Sequence, residues 1–396
     1  MAEDLVILAG ARTAMAEYVG TPGGGAFKDV SANELGAHAI KAALERAKVK
    51  PEAVEHVVMG NAMQTGADSI YGARHAALKA GIPNTVPALT VNRLCGSGVQ
   101  SIISSAQMIL TGEIEVAVAG GMENMSQAPH VIRGMRGQGL RLGQQPVIED
   151  SLMVNLLDGF CGLYMAQTAE KLAKQYGITR QAQDEFAMRS HKEGTRAVQS
   201  GIFKEEIIPV ALKKGLWDKD DHIKPETSLE QLAALNPAFG KDGTVTAGNA
   251  SGIVDAGAAV VLTTAKRAKA DGLAPIGRIV SWATVGVDPS IMGIGPAPAI
   301  RKACERAGLK LDQIDLFEIN EAFSAQYLAV EKELGLDRSK ANVNGGAVAI
   351  GHPLAATGTR LVITLLGELK RRGKKFGVAS ACIGGGQGIA MIVERL

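Results

Sequence analysis

The sequence predicts a duplicated α/β fold, with two mixed β-sheets layered between helices and one inserted loop domain. Three observations predict it. Residues 39–47 recur at 299–307: Ala39-Ile40-Lys41 leading to Glu45-Arg46-Ala47 returns as Ala299-Ile300-Arg301 leading to Glu305-Arg306-Ala307, and the same spacing carries Ser97-Gly98 onto Thr357-Gly358 and Val116–Ala119 onto Phe376–Ala379. In both copies short β-branched runs alternate with stretches whose apolar residues recur at helical spacing, the pattern of strands covered by helices. Residues 123–243 have no counterpart in the second copy, and their composition turns polar and irregular. The expected division is therefore 1–122 with 244–268 as a first half, 123–243 as an inserted domain, and 269–396 as a second half.

In chain order, residues 4–10 read as a first strand and Ser31 to Ala47 as a helix, with Ser31 as its cap and Glu34 completing a capping box. Pro51 to Val58 reads as a helical turn and a strand, residues 61–85 as helix plus loop, Val86 to Val91 as a buried strand, Val99 to Leu110 as a helix, and Glu115 to Gly121 as a strand. Within the insert, Ser126 to Asp150 is loop-like and carries Arg133, Arg136 and Arg141, which suit either a phosphate-bearing ligand or a solvated face. Ala166 to Gln199 reads as two helices broken near Gly177, and Trp217 to Pro237 as irregular. Thr244 to Thr263 regains strand and small-residue helix character, and Gly272 to Gly277 reads as the junction between the halves.

Composition bounds the function. With 42 Lys+Arg against 40 Asp+Glu in 396 residues, 46% of them apolar, the total charge points to neither nucleic acid nor a membrane surface. No apolar run approaches the roughly 20 residues of a membrane span. Four scattered cysteines (Cys95, Cys161, Cys304, Cys382) form neither a disulfide framework nor a C-x-x-C metal site, so a reducing compartment is expected. The acidic start Met1-Ala2-Glu3-Asp4 is unlike a secretory or transit signal. A bacterial cytoplasm is the expected location, or the mitochondrial matrix if the source is eukaryotic.

Where the two copies agree, the residues are apolar or glycine, as packing requires. Where they differ at turns, the differences are reactive: Cys95 lies opposite Ala355, His352 opposite Asn92, Cys382 opposite Met122 and Asn320 opposite Gly60. Cys95, in Asn92-Arg93-Leu94-Cys95-Gly96-Ser97-Gly98, sits at a strand-to-helix turn, where free N–H groups and the helix dipole are expected to lower a thiol's pKa. His352 ends a glycine-bounded loop, as suits the base of a thiol nucleophile. Cys382 is followed by Gly384, Gly385 and Gly386, backbone bare enough to aim N–H groups at an oxyanion, and Asn320 follows a strand with a free amide.

Together these stretches resemble the thiolase family over nearly the whole chain. The motifs are Asn-Arg-Leu-Cys-Gly-Ser-Gly at 92–98, Asn-Glu-Ala-Phe at 320–323, Gly-Gly-Ala-Val-Ala-Ile-Gly-His-Pro at 345–353 and Cys-Ile-Gly-Gly-Gly at 382–386. Asp288-Pro289-Ser290-Ile291-Met292-Gly293-Ile294-Gly295-Pro296 resembles the mitochondrial-type 3-ketoacyl-CoA branch. The resemblance implies the thiolase fold, a dimer or dimer of dimers, and coenzyme A as co-substrate with no bound cofactor or metal. It implies Cys95 as nucleophile, His352 as its base and an enolate-oxygen donor with a water on Asn320, Cys382 as acid and base, and the N–H groups of Cys95 and Gly384 as an oxyanion hole.

For coenzyme A it implies Lys224, Thr227, Ser251 and Ala247, with Met165 and Phe323 flanking the pantetheine arm. Lys224 stands where relatives carry Arg, keeping the charge without the fork geometry. Tyr164 stands where biosynthetic relatives carry His, which favours thiolytic cleavage of 3-ketoacyl-CoA over acetoacetyl-CoA synthesis by condensation. A decarboxylating ketoacyl synthase is disfavoured because Cys382 stands in place of a second His. A silent scaffold on the same fold is opposed by the joint presence of Cys95, His352, Cys382 and Asn320.

Overall fold

The computed structural model describes residues 4–137, 139–240 and 242–396; Gln138, in the expected arginine-bearing loop, and Lys241 lie outside them. The first copy runs β1 (Leu5–Thr13), α1 (Ala32–Ala47), β2 (His56–Gly60), α2 (Gly72–Lys79), β3 (Ala88–Val91), α3 (Ser97–Leu110) and β4 (Ala117–Glu123). The capping box forms in both directions, Ser31 Oγ accepting from Glu34 N–H and Glu34 accepting from Ser31 N–H at 2.9 Å. Next come α4 (Met165–Tyr176), closed by Gly177 in a left-handed conformation, α5 (Arg180–Gln199) and β5 (Val254–Thr264). The second copy follows as β6 (Gly277–Gly286), α6 (Pro296–Ala307), β7 (Leu316–Ile319), α7 (Ser324–Leu334), α8 (Leu354–Arg371), β8 (Phe376–Ile383) and β9 (Gln387–Arg395).

In the second copy β8 and β9 are neighbouring antiparallel strands joined through Gly384, Gly385 and Gly386, and the last two have φ near +80°. In the first copy the matching neighbours, β4 and β5, are separated in sequence by residues 124–253. The long segment thus enters the fold where the second copy makes a tight turn. Among the described residues, no helix is long and apolar enough to cross a membrane.

Two expectations are corrected. The two sheets are one: the strand order is β7-β8-β9-β6-β1-β5-β4-β2-β3 within an eleven-stranded mixed sheet, because Val6 pairs with Arg278 and Ile7 with Gly277. β1 and β6 are the inner edge strands of the two halves, and joining them satisfies N–H and C=O groups that two separate sheets would leave open. The small residues at 256–259 belong to β5 and not to a helix. They are small because α1 lies directly on the strand; a Cβ on Gly257 would come 2.3 Å from the Leu35 carbonyl.

Helices α1 and α2 cover one face of the first half, α6 and α7 one face of the second, and α3 and α8 pack against each other in the centre. Every residue of α8 from Ala355 to Leu366 is buried, as a helix enclosed on all sides requires. Its crossing with α3 is backbone on backbone: a Cβ on Gly98 would lie 2.5 Å from Thr359 N, and one on Gly358 2.5 Å from Val99 N. These two glycines are repeat partners.

Because both neighbours are backbone, Gly98→Ala and Gly358→Ala are expected to lower unfolding stability by about 1–3 kcal/mol each. Gly286→Ala, where a Cβ meets nothing within 4 Å, is expected to change it by less than about 0.5 kcal/mol. Urea midpoints of the three variants check this.

Candidate active site

The crossing of α3 and α8 decides where the chemistry sits, because each helix is preceded by one reactive turn. β3 ends at Val91, a single 3-10 turn spans Leu94–Gly96, and α3 follows, so Cys95 occupies the predicted elbow. Leu94 has φ +46°, a strained value for a residue with a Cβ. Side chains around it fix the turn: Asn92 Oδ1 accepts from Leu94 N–H (2.9 Å), Ser97 Oγ accepts from Arg93 N–H (2.8 Å), and Ser97 Oγ donates to the Leu94 carbonyl (2.7 Å).

His352 precedes α8. Its N–H donates to the Gly252 carbonyl at 2.9 Å. Its Nδ1 lies 2.6 Å from Thr357 Oγ1, which donates to the Pro353 carbonyl at 3.2 Å, and its Nε2 lies 3.3 Å from Asn320 Nδ2. One tautomer satisfies this chain: Nδ1 donates to Thr357, and Nε2 keeps a lone pair. Asn320 is fully buried, and its Oδ1 has no partner among the described residues.

Cys95, His352, Met165, Ala247, Ser251 and Phe323 line one chamber of about 270 Å³. Its remaining walls are mostly apolar. Cys382, at the end of β8, is fully buried against Met292 and Ala322, which also line the chamber. Gly384 follows, two residues beyond Cys382, and its N–H and that of Cys95 lower the Cys95 thiol pKa. Lys224 and Thr227 line a second, more polar depression of about 350 Å³, and Ala247 is common to both cavities.

The chain matches the Thiolase, N-terminal domain over residues 5–266 and the Thiolase, C-terminal domain over residues 273–395. The chain belongs to the thiolase family. It is 50% identical to the human 3-ketoacyl-CoA thiolase, mitochondrial, over 98% of this chain and 97% of that protein. It is 48% identical to the acetyl-CoA acetyltransferase of Escherichia coli (strain K12) over the full length of both. The crystal structure of human mitochondrial 3-ketoacyl-CoA thiolase in complex with CoA superposes with a TM-score of 0.96 at 49% identity, covering 100% of this chain and 98% of that one.

In this thiolase the expected low thiol pKa is not found. Burial pushes Cys95 up to about 11, although the N–H groups of Gly384 and Cys95 itself pull it back. Cys382 is raised further by burial and by the nearness of Cys95. His352 is pushed down to about 3 by burial and the charge of Arg360, so its imidazole is neutral. One turn of helix dipole is outweighed by the loss of water around the sulfur. At rest the site holds two thiols and a neutral base.

Thr357 and Glu123 escaped the sequence analysis as site residues. Thr357 was legible: it is the repeat partner of Ser97, and each hydroxyl secures the reactive turn ahead of its own helix. Glu123 was not, because its partners are distant groups, the N–H groups of Ala62, Met63 and Ala355 and the Asn61 side-chain amide, at 2.9–3.1 Å. Burial raises it to about 7 against the pull of those donors. Arg133, Arg136 and Arg141 line neither cavity, and Arg133 pairs with Glu149 at 2.6 Å on the surface. Among the described residues, no three His, Cys, Asp or Glu side chains gather to hold a metal ion.

With Cys95 protonated up to about pH 11, the thiolate fraction rises tenfold per pH unit through the neutral range. Alkylation of Cys95 by iodoacetamide, followed by mass spectrometry from pH 6.5 to 9.5, is expected to accelerate throughout. A plateau near pH 7 would contradict the resting-thiol assignment.

Proposed function

We propose that this thiolase cleaves 3-ketoacyl-CoA with free coenzyme A, releasing acetyl-CoA and an acyl-CoA two carbons shorter, as fatty-acid β-oxidation requires. The reading is carried by one juxtaposition, Cys95 and His352 on the floor of a chamber otherwise walled by Met125, Leu152, Tyr164, Phe239 and similar apolar groups. Tyr164 stacks on Phe239 with ring centroids 5.3 Å apart, a surface suited to an alkyl chain.

In the first half-reaction Cys95 Sγ attacks the 3-keto carbon while His352 Nε2 takes the thiol proton. The bond between C2 and C3 breaks, and the Cys382 thiol protonates the departing acetyl-CoA enolate at C2. His352 and a water on Asn320 Oδ1 hold the enolate oxygen. In the second, the Cys382 thiolate takes the proton of coenzyme A, whose sulfur attacks the Cys95 thioester. The N–H groups of Cys95 and Gly384 hold its oxyanion, and Cys95 leaves as a thiolate that His352 reprotonates. A buried neutral imidazole, a buried Cys382 thiol and a partly exposed Cys95 thiol suit these steps, since each transfer waits for substrate to supply or accept the charge.

Coenzyme A would lie across both cavities, its pantetheine arm past Met165, Ala247, Ser251 and Phe323 and its nucleotide end against Lys224 and Thr227. A second reading, an acetyl-CoA acetyltransferase working in condensation, has support in relatives of that name at 48–49% identity. Loss of the 3-ketoacyl-CoA absorbance on adding coenzyme A separates the two. Faster turnover of a longer chain than of acetoacetyl-CoA is expected, and cleavage confined to acetoacetyl-CoA would favour the second reading. Cys95→Ser is expected to abolish thiolysis, and Cys382→Ala to slow it by about 10²–10⁴.

We further propose a homodimer formed along β3. Among the described residues this strand ends the sheet with an unpaired edge and exposes Leu89, while Ile70 and Tyr71, just before Gly72 at Thr90, are exposed as well. Open apolar edges of this kind invite a second strand. Leu89→Lys is expected to shift the sedimentation coefficient from that of a dimer or larger assembly to that of a monomer.

A further inference from the structure

The segment 221–226 forms a wall shared by two cavities. Ile223 and Pro225 face a cavity behind it, whereas His222, Lys224 and Glu226 face the depression assigned above to the nucleotide end of coenzyme A. A loop so exposed on both faces needs an anchor, and the anchor lies far away in sequence. Glu17, beside β5 in the short strand Ala16–Glu17, accepts from His222 Nδ1 at 2.8 Å and from Lys224 Nζ at 3.0 Å. Its own N–H donates to Asp221 Oδ1 at 2.6 Å. Burial alone would raise the Glu17 carboxyl; the hydrogen bonds from His222 and Lys224 outweigh it and hold the group below the usual carboxylate range.

His222 also meets a second segment of the chain. The ring occupies the space beside Gly252 that a side chain would need: a Cβ there would come 2.4 Å from His222 Cδ2. Gly252 has no positive φ, so contact with the ring, and not the backbone conformation, excludes a side chain there. The Gly252 carbonyl accepts the His352 N–H at 2.9 Å, and Gly252 with Ser251 lines the reactive chamber. One continuous path of contacts therefore runs Glu17, His222, Gly252, His352.

We propose that Glu17 and His222 are positioning residues that clamp the 221–227 loop to the Gly252 backbone, fixing the distance between the nucleotide end of the coenzyme A site and the imidazole that serves Cys95. The clamp rests on the proposed thiolase chemistry and adds to it a reason for an acid–histidine pair that touches neither sulfur. Glu17 governs the loop side, by placing Lys224 and Thr227. His222 governs the chamber side as well, by its contact with Gly252.

A size-swap cycle tests the clamp. Gly252→Ala in the native background pushes the Gly252 carbonyl or His222 aside and is expected to slow both kcat and Cys95 alkylation by about tenfold, since a displacement on the order of 1 Å suffices for losses of that size. His222→Ala is expected to raise KM for coenzyme A about tenfold with a smaller effect on kcat. In the double variant His222→Ala/Gly252→Ala the new methyl occupies the space left by the ring. Its kcat and alkylation rate are expected to return to within about threefold of those of His222→Ala alone, a non-additivity that a direct contact produces and independent sites do not. Glu17→Gln is expected to raise KM for coenzyme A while leaving Cys95 alkylation unchanged.

Additive losses in the double variant would overturn the clamp, as would an unchanged KM in Glu17→Gln. Circular dichroism and urea midpoints keep a folding defect distinguishable, because misfolding lowers all readouts together and is not rescued by a second substitution. Failure of the thiolase reading looks different: the native protein then turns over no ketoacyl-CoA, while the alkylation arm of the cycle still reports the contact between His222 and Gly252.

Discussion

The crossing of two buried helices at a pair of repeat-related glycines is the contact on which the rest of the molecule depends. Gly98 and Gly358 let α3 and α8 meet backbone to backbone, and Thr359 Oγ1 donates to the Gly98 carbonyl at 3.2 Å at that point. A helix terminus is where unpaired N–H groups and catalytic turns are found. Bringing two termini this close therefore brings two turns together, one carrying Cys95 and the other His352. Glu123 fastens the same junction from the side, holding Ala355 N–H at 3.0 Å while it also collects Ala62 and Met63. The sheet continues from one half into the other through the pairing of β1 with β6.

Burial at that junction dictates the electrostatics. The site's two thiols and imidazole all titrate away from neutrality in the direction that removes charge, because the surroundings exclude water more strongly than the available donors replace it. A resting ion pair between Cys95 and His352 would have to be built against this desolvation. The proposed chemistry avoids the difficulty, since each proton moves only while the substrate carries the compensating charge. In the proposed second half-reaction the N–H groups of Gly384 and Cys95 would hold the oxyanion, and as backbone groups they would do so at little cost in rearrangement.

The two cavities divide the proposed coenzyme A contacts by polarity. The chamber over Cys95 is apolar, while the adjoining depression presents His191, His222, Lys224 and Glu226, and Ala247 is where they meet. Lys224 is also engaged by Glu17, so in the proposed reading its charge would be shared between holding the loop and meeting a ligand. A lysine tolerates such sharing better than an arginine fork, because its ammonium donates in several directions from one point.

What the sequence determined by itself is everything local or periodic. The duplication, the capped α1, the break at Gly177, the strand-to-helix turn at Cys95 and the short list of reactive residues follow from spacing and residue type, which act over a few neighbours. What only the tertiary structure decided depends on groups distant along the chain: the joining of the half-sheets through β1 and β6, the thiol pKa, the anchoring by Glu123 and the contacts of His222 with Glu17 and with the space beside Gly252. The helix dipole at Cys95 is legible from the sequence, but the desolvation that overrides it comes from the walls of other segments. Small residues at 256–259 read equally well as helix or strand until α1 is seen lying on them. The physical reason is the same in each case, since burial is a property of how segments pack and is carried by no single stretch of chain.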